Sequence, residues 1–372
     1  MKTNPVRPLV TLLCLALAVP VVFAAQVQMP SPTSTVAPPP VPTNVPLLTP
    51  VVVSGVVSGP GLWKVSKDGH VLWVLGTLSP LPRDMQWESR DLDRVIGQSQ
   101  QVLLQPKIKL KADIGFFGKL FLLPSAYGAR KNPDGKKLDQ VMDASTYARW
   151  QVLKQKYIGR DRGIERWRPL FAAQELYKKA LKANGLSTSG GVPGTVEALA
   201  KRYGVQETPV DYHVEIKHPR DAIKAFKAAA PSDLKCFSRT LDSVEHDLPE
   251  MTERANAWAI GDLATLRALP DSHRRDACVS AITNAGFAHQ LGLDDVSEQL
   301  EAKWLTTARA ALANDRTSFA MLPMGELLSP TGYLAKLQAQ GYTVESPEQQ
   351  DAAPATAGSV PTPAVAGSTT TQ

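Results

Sequence analysis

The chain has 372 residues, 43% of them hydrophobic and 20% charged, which is ordinary globular chemistry with enough length for one large core or two small ones. Its formal charge is +6, and loss of Lys2 and Arg7 with an N-terminal leader leaves 6 − 2 = +4, a balance that demands no acidic partner. No groove-reading motif, phosphate loop, Gly-x-Gly-x-x-Gly or Gly-x-Ser-x-Gly occurs, which argues against nucleic acid, nucleotides and the serine-hydrolase elbow.

Residues 1–24 carry Lys2 and Arg7, then an apolar run from Leu9 to Val22, then Val22-Phe23-Ala24 at the cleavage positions. This pattern predicts a secretory signal peptide and a periplasmic or secreted protein. The run is short for a membrane span and no later stretch approaches the required length, so no stable transmembrane segment is expected after processing. Retention of the leader as an anchor is the alternative. Residues 25–60 lack charge and are rich in Pro, Val and Thr, which predicts a disordered linker. Residues 346–372, rich in Ala, Pro and Thr, read as a disordered tail, leaving 61–345 as the folded domain.

Within that domain "LWKVSKDGHVLWVLGTL" predicts a hairpin turning at Asp68-Gly69. Leu92, Val95 and Ile96 have helical spacing, and "QVLLQPKI" reads as a short buried strand stopped by Pro106. Between Gln105 and Lys137 there are eight basic residues against Asp113 and Asp134, interleaved with the apolar "IGFFGKLFLLPSAYG". The expectation for Lys107–Lys137 is a solvated lysine face beside a core-packing helix, with weak contact to an anionic membrane surface or glycan as the alternative. Helices are predicted in "DASTYARWQVLKQKYI", "PLFAAQELYKKALKANG" and "GTVEALAKRYG", the last capped by Gly204, and again around Ala222, Leu241, Ala257 and Leu266. "PVDYHVEIKH" reads as a strand. Its alternation puts His213 and Glu215 on one face and His218 on the other, so a surface or capping role outweighs metal binding. His246, His273 and His289 stand alone. The end of the chain, "TSFAMLPMGELLSPTGYLAKLQAQGYTVES", reads strand, loop, helix, Gly341, strand. Strands at both ends and a helical middle predict an α/β fold with a single mixed β-sheet covered by flanking helices.

Two cysteines, Cys236 and Cys278, remain after the leader is removed, and in an oxidising compartment one disulfide between them is the economical expectation.

The opening hairpin and the closing strand, loop and helix resemble the TraB/GumN family, relatives of the Tiki metalloproteases. The matching pieces are "GLWKV", "VLWVLGTL" with the following "LP", "GVPGTVEALAKRYG", "AWAIGDLATL" and "PTGYLAKLQAQGYTV". The resemblance implies an α/β core like that of erythromycin-esterase-like proteins and ChaN-like haem-uptake lipoproteins. It also implies a metal site held by a Gly-x-x-His after the first strand pair, a strand-end glutamate and a second Gly-x-x-His near the C-terminus.

Each of those positions is altered. The first motif reads Gly76-Thr77-Leu78-Ser79, the strand end reads Leu103-Leu104-Gln105, and the frame set by Pro330 and Gly332 puts Pro323 at the second glycine and Glu326 at the second histidine. A Gly-x-Asp associated with the middle helix reads Gly191-Val192-Pro193. Loss of both imidazoles and the carboxylate removes the donors that a transition metal prefers. No catalytic residue and no cofactor is therefore expected, with Gly76, Thr77, Ser79, Gln105, Gly325 and Glu326 as pocket candidates and Ser79 and Glu326 expected to meet. The function expected is an exported binding or accessory protein with an unidentified envelope ligand or protein as partner. The alternative is a metal-dependent, peptidase-like hydrolase with substituted ligands around a divalent ion such as manganese or cobalt.

Overall fold

The computed structural model of this chain describes residues 56–57 and 59–352, apart from 84, 88–89, 113, 189–190, 230–232, 270–273, 275–276, 280–292 and 294. The expected signal peptide, most of the linker, the tail beyond 352, His273 and His289 lie outside the described residues. What is described belongs to one compact unit, Thr49–Gln372.

The chain enters through β1 (Val56–Val57) and the expected hairpin of β2 (Leu62–Lys67) and β3 (His70–Thr77). Asp68 and Gly69 take φ of 50° and 82°, the two left-handed positions that a tight hairpin turn requires and that Asp-Gly tolerates. Two short strands, β4 (Leu81–Pro82) and β5 (Gln86–Trp87), lead into α1 (Arg90–Gln98), whose Leu92, Val95 and Ile96 are buried as their spacing predicts. Then come β6 (Gln101–Leu103), β7 (Lys107–Ala112) and α2 (Phe116–Gly128).

The helical middle contains α3 (Ala144–Tyr157), α4 (Pro169–Ala183), the short β8 (Leu186–Ser187) and α5 (Val192–Tyr203), which stops at left-handed Gly204. It continues with β9 (Gln206–Thr208), β10 (Asp211–Ile216), α6 (Pro219–Ala228), α7 (Asp233–Asp242), α8 (Leu248–Ile260) and α9 (Leu263–Ala268). The last part is α10 (Val296–Asn314), β11 (Thr317–Pro323), α11 (Met324–Leu328), α12 (Tyr333–Ala339), β12 (Thr343–Glu345) and α13 (Pro347–Ala352).

Six strands form one mixed sheet in the order β12-β2-β3-β11-β6-β9. β3, β11, β6 and β9 run parallel, while β2 is antiparallel to both of its neighbours. β11 is buried along nearly its whole length because it is flanked on both edges and covered on both faces, hence its unbroken apolar reading from Phe319 to Leu322. The sheet core includes Leu72, Val74, Leu75, Phe319, Trp258 and Trp304, while Trp150, Leu176, Phe237 and Leu241 centre a second, helical core. The α/β architecture and the flanking helices are as expected from the sequence.

Three local expectations change. The folded chain continues past 345: Pro347 sits on Gly61, Gln350 Nε2 donates to the Leu62 carbonyl, and Glu348 pairs with Arg267, so α13 is tied down despite its polar composition. At the other end Val56 and Val57 pair with Gln86 and Trp87, inside the expected linker. The third concerns α2, expected to pack on the core: Leu120, Phe121, Leu123 and Tyr127 are exposed. The strand before it, β7, pairs in parallel with β10 instead of joining the main sheet.

Candidate functional site

A cleft of about 530 Å³ lies at the carboxyl ends of β3 and β11, close to the end of β6, the place where open parallel sheets present their loops. Register brings its residues together. Pro323 at the end of β11 lies opposite Thr77 at the end of β3, and Leu103 of β6 lies opposite Ala320. The loops leaving those strands therefore place Ser79, Gln105 and Gly325 on one wall system, although they are far apart in the chain.

The end of β3 is held from below. The β2 pairing ends opposite Leu75, and the carbonyl of the next residue, Gly76, accepts a hydrogen bond of 2.8 Å from the buried Trp258 indole of α8. Trp258 also meets Trp87 edge to face at 5.5 Å, and Trp87 lines the cleft. Met324 of α11 packs over Gly76 so closely that a Cβ there would lie 2.5 Å from its methyl carbon. The Thr77 hydroxyl donates to the Leu322 carbonyl, linking β3 to β11 at the floor.

The opposite wall comes from β4 and β8, which pair antiparallel and bring Leu81, Pro82 and Ser187 to the cleft, followed by Thr188 and then Gly191, Pro193 and Thr195 at the start of α5. Arg83 lines the same side and donates from Nη2 to the Lys182 carbonyl at 3.1 Å. Two-residue strands carry no periodicity, so the pairing of β4 with β8 had no mark in the sequence, although Leu81-Pro82 and the start of α5 belong to the pieces that resemble the family.

Of the six pocket candidates, Thr77, Ser79, Gln105 and Gly325 line the cleft. Gly76 forms its floor support. Gly325 of α11 lines the cleft, whereas its neighbour Glu326 is not among the lining residues. Glu326 follows Met324 and Gly325 in the first turn of α11. Its charge bears on Tyr333, whose hydroxyl is raised above the usual range by burial first and then by Glu326 and Glu301. Gly332 fixes this turn: an added Cβ would lie 2.2 Å from the Glu326 carbonyl oxygen, a backbone atom with nowhere to retreat. Gly332→Ala is expected to cost about 2 kcal/mol of stability by overpacking. A urea midpoint identical to that of the parent would contradict the crowding.

A family model described as the TraB/PrgY/gumN family matches residues 61–346. The chain belongs to the TraB/PrgY/gumN family. The match spans β2 to the end of β12, and so includes every strand end that builds the cleft. Neither the curated proteins nor the solved structures gave a match.

The donor chemistry of this TraB/PrgY/gumN cleft departs from a metal centre. Its described lining offers hydroxyls from Thr77, Ser79, Ser187, Thr188 and Thr195, the Gln105 amide and the Arg83 guanidinium, with no histidine, cysteine, aspartate or glutamate. Among the described residues no group of three or more such side chains converges elsewhere. Neutral hydroxyl and amide oxygens do not fit a transition metal, and a guanidinium opposes any cation. His213 and Glu215 of β10 are exposed, and His218 stands at the N-cap position of α6 without a side-chain capping bond. Cys236 and Cys278 have their sulfurs at bonding distance, 1.98 Å.

Proposed function

We propose that this TraB/PrgY/gumN protein is an exported binding or accessory protein of the cell envelope that has lost metal-hydrolase chemistry and uses the same cleft to hold a polar ligand. The observation that carries the reading is the lining itself: five hydroxyls, one amide and one guanidinium beside Trp87, at the strand ends where a hydrolase would place imidazoles and carboxylates. Such a set can donate to and accept from a neutral or anionic hydroxyl-rich molecule while an aromatic face covers its apolar side. It supplies no group suited to activating water near neutral pH, since serine and threonine need an adjacent base and an amide does not exchange protons usefully.

Elemental analysis is the test. Protein dialysed against manganese, cobalt and zinc, then freed of excess ion, is expected to retain no stoichiometric metal and to show no metal-dependent peptidase activity. Roughly one equivalent of bound metal would overturn the reading in favour of a hydrolase with substituted ligands. The double variant Ser79→His with Gln105→Glu puts an imidazole and a carboxylate at two positions that already line the cleft, and is expected to gain measurable zinc or cobalt affinity without unfolding.

A further inference from the structure

Of the ten large apolar side chains that stand exposed among the described residues, six lie between 108 and 127: Ile108, Leu110, Leu120, Phe121, Leu123 and Tyr127. Phe121 is 74% exposed and Tyr127 66%. Isolated exposed apolar residues need no explanation, but a concentration of them in one short segment does. The segment includes α2, a 13-residue helix of sequence FFGKLFLLPSAYG with a single charge, which is the composition of a helix covered by something apolar.

The surroundings of this segment are basic. β7 alternates Lys107, Lys109 and Lys111 on one face with Ile108 and Leu110 on the other, and Lys109 pairs with Asp211 at 2.6 Å. Lys131, Lys136 and Lys137 follow α2 and are exposed. α6 lies against α2, with Lys227 Nζ 3.4 Å from the Ser125 hydroxyl, and residues 217–227 add Lys217, Arg220, Lys224 and Lys227 against Asp221 alone. α6 itself buries no residue fully. Apolar side chains within a rim of lysine and arginine have the chemistry of an interface between water and anionic lipid headgroups: the rings and aliphatic chains enter the acyl boundary and the cations stay with the phosphates.

We infer that β7, α2 and α6 form a monotopic docking surface for an anionic phospholipid bilayer. Charge selects lipid over a second copy of the chain, because a symmetric dimer through this face would bring two basic rims together. No described helix is long and apolar enough to cross a membrane, so the contact is with one leaflet. On this inference the cleft would be held near the membrane surface, independently of whether it binds a ligand.

The test is flotation of the chain starting at Ala25, which retains every described residue and lacks the hydrophobic leader. Vesicles of phosphatidylcholine alone are compared with vesicles containing a third phosphatidylglycerol. The parent is expected to float with the anionic vesicles, at least about tenfold more than with the neutral ones, and to be released by 0.5 M salt. Phe121→Ser with Leu123→Ser, and separately Lys107→Gln with Lys111→Gln, are each expected to lower binding about tenfold with unchanged circular dichroism and melting temperature, since all four side chains are exposed. Equal flotation with both vesicle types would overturn the inference. So would full binding by both variants, or a concentration-dependent dimer abolished by the serine pair in protein that does not float. Retention on an anionic polysaccharide column without flotation would likewise reject lipid and assign the lysines to a glycan.

Discussion

Replacing Arg168 with methionine lowers the stability of the domain by about 3–5 kcal/mol, the usual cost of leaving one member of a buried ion pair without its partner. Arg168 is 1% exposed at the start of α4, and its guanidinium meets the Asp233 carboxylate of α7 as a fork, with Nε donating at 2.8 Å and Nη2 at 2.7 Å. The third arm, Nη1, donates to the Phe226 carbonyl at 2.6 Å, and the guanidinium carbon lies 4.1 Å from the centre of the Phe226 ring. One side chain thus joins α4, α6 and α7. Lysine does not replace it, because a single ammonium cannot satisfy both carboxylate oxygens and the carbonyl in that planar arrangement. The effect is read from urea midpoints at constant m. The double variant Arg168→Met with Asp233→Leu is expected to recover most of the loss, because neither charge then remains buried. A single variant as stable as the parent would show that water reaches Asp233 and that the pair is not a structural node.

Much of the sheet was readable from the sequence because its signals are local. Asp68-Gly69 supplies two positive-φ residues in succession, and Gly204 and Gly261 end their helices in the left-handed conformation. The strand, helix, glycine and strand after Thr317 follow the same logic, but the segment read as a loop between them opens with the short helix α11. What sequence does not carry is the identity of a distant partner. β7 alternates Lys with Ile and Leu, but its pairing with Asp211–Ile216, about a hundred residues on, has no local mark, and neither does the Arg168–Asp233 fork. The apolar reading of α2 suggested core, yet the sheet and helical cores are filled by other helices and α2 keeps its side chains outside. In the cleft, Ser79 and Gln105 were legible because the family pattern fixes what should follow each strand. The same family frame singles out Glu326, and the cleft takes in its neighbour Gly325. Arg83 and Trp87 were missed because the two-residue strands beside and around them lack any period, and Thr195 because the helical pattern of α5 does not say that its first turn borders a cleft.

Reduction of the Cys236–Cys278 bond is expected to lower stability by about 4 kcal/mol on the chain-entropy estimate for a separation of 42 residues. Cys236 is buried on α7, three residues after Asp233 and beside Leu170, so the bond reinforces the junction that the Arg168 fork closes. Cys278 sits in a helical turn within the segment between α9 and α10, and the covalent link is its strongest tie to the helical core. The two effects share partners and should not add: Arg168→Met in reduced protein is expected to cost more than the sum of its parts, since the bond and the fork each hold α7 when the other is lost. Thiol titration of denatured, unreduced protein recovered from an oxidising compartment separates three cases. No reactive thiol means that the bond is formed and that Cys14 has left with its leader; one means that the bond is formed and the leader retained; two or more reject the bond. Urea unfolding with and without dithiothreitol then measures its contribution. A shift of less than about 1 kcal/mol would mean that the reduced, unfolded chain already keeps residues 236 and 278 close, which removes the entropic advantage of joining them.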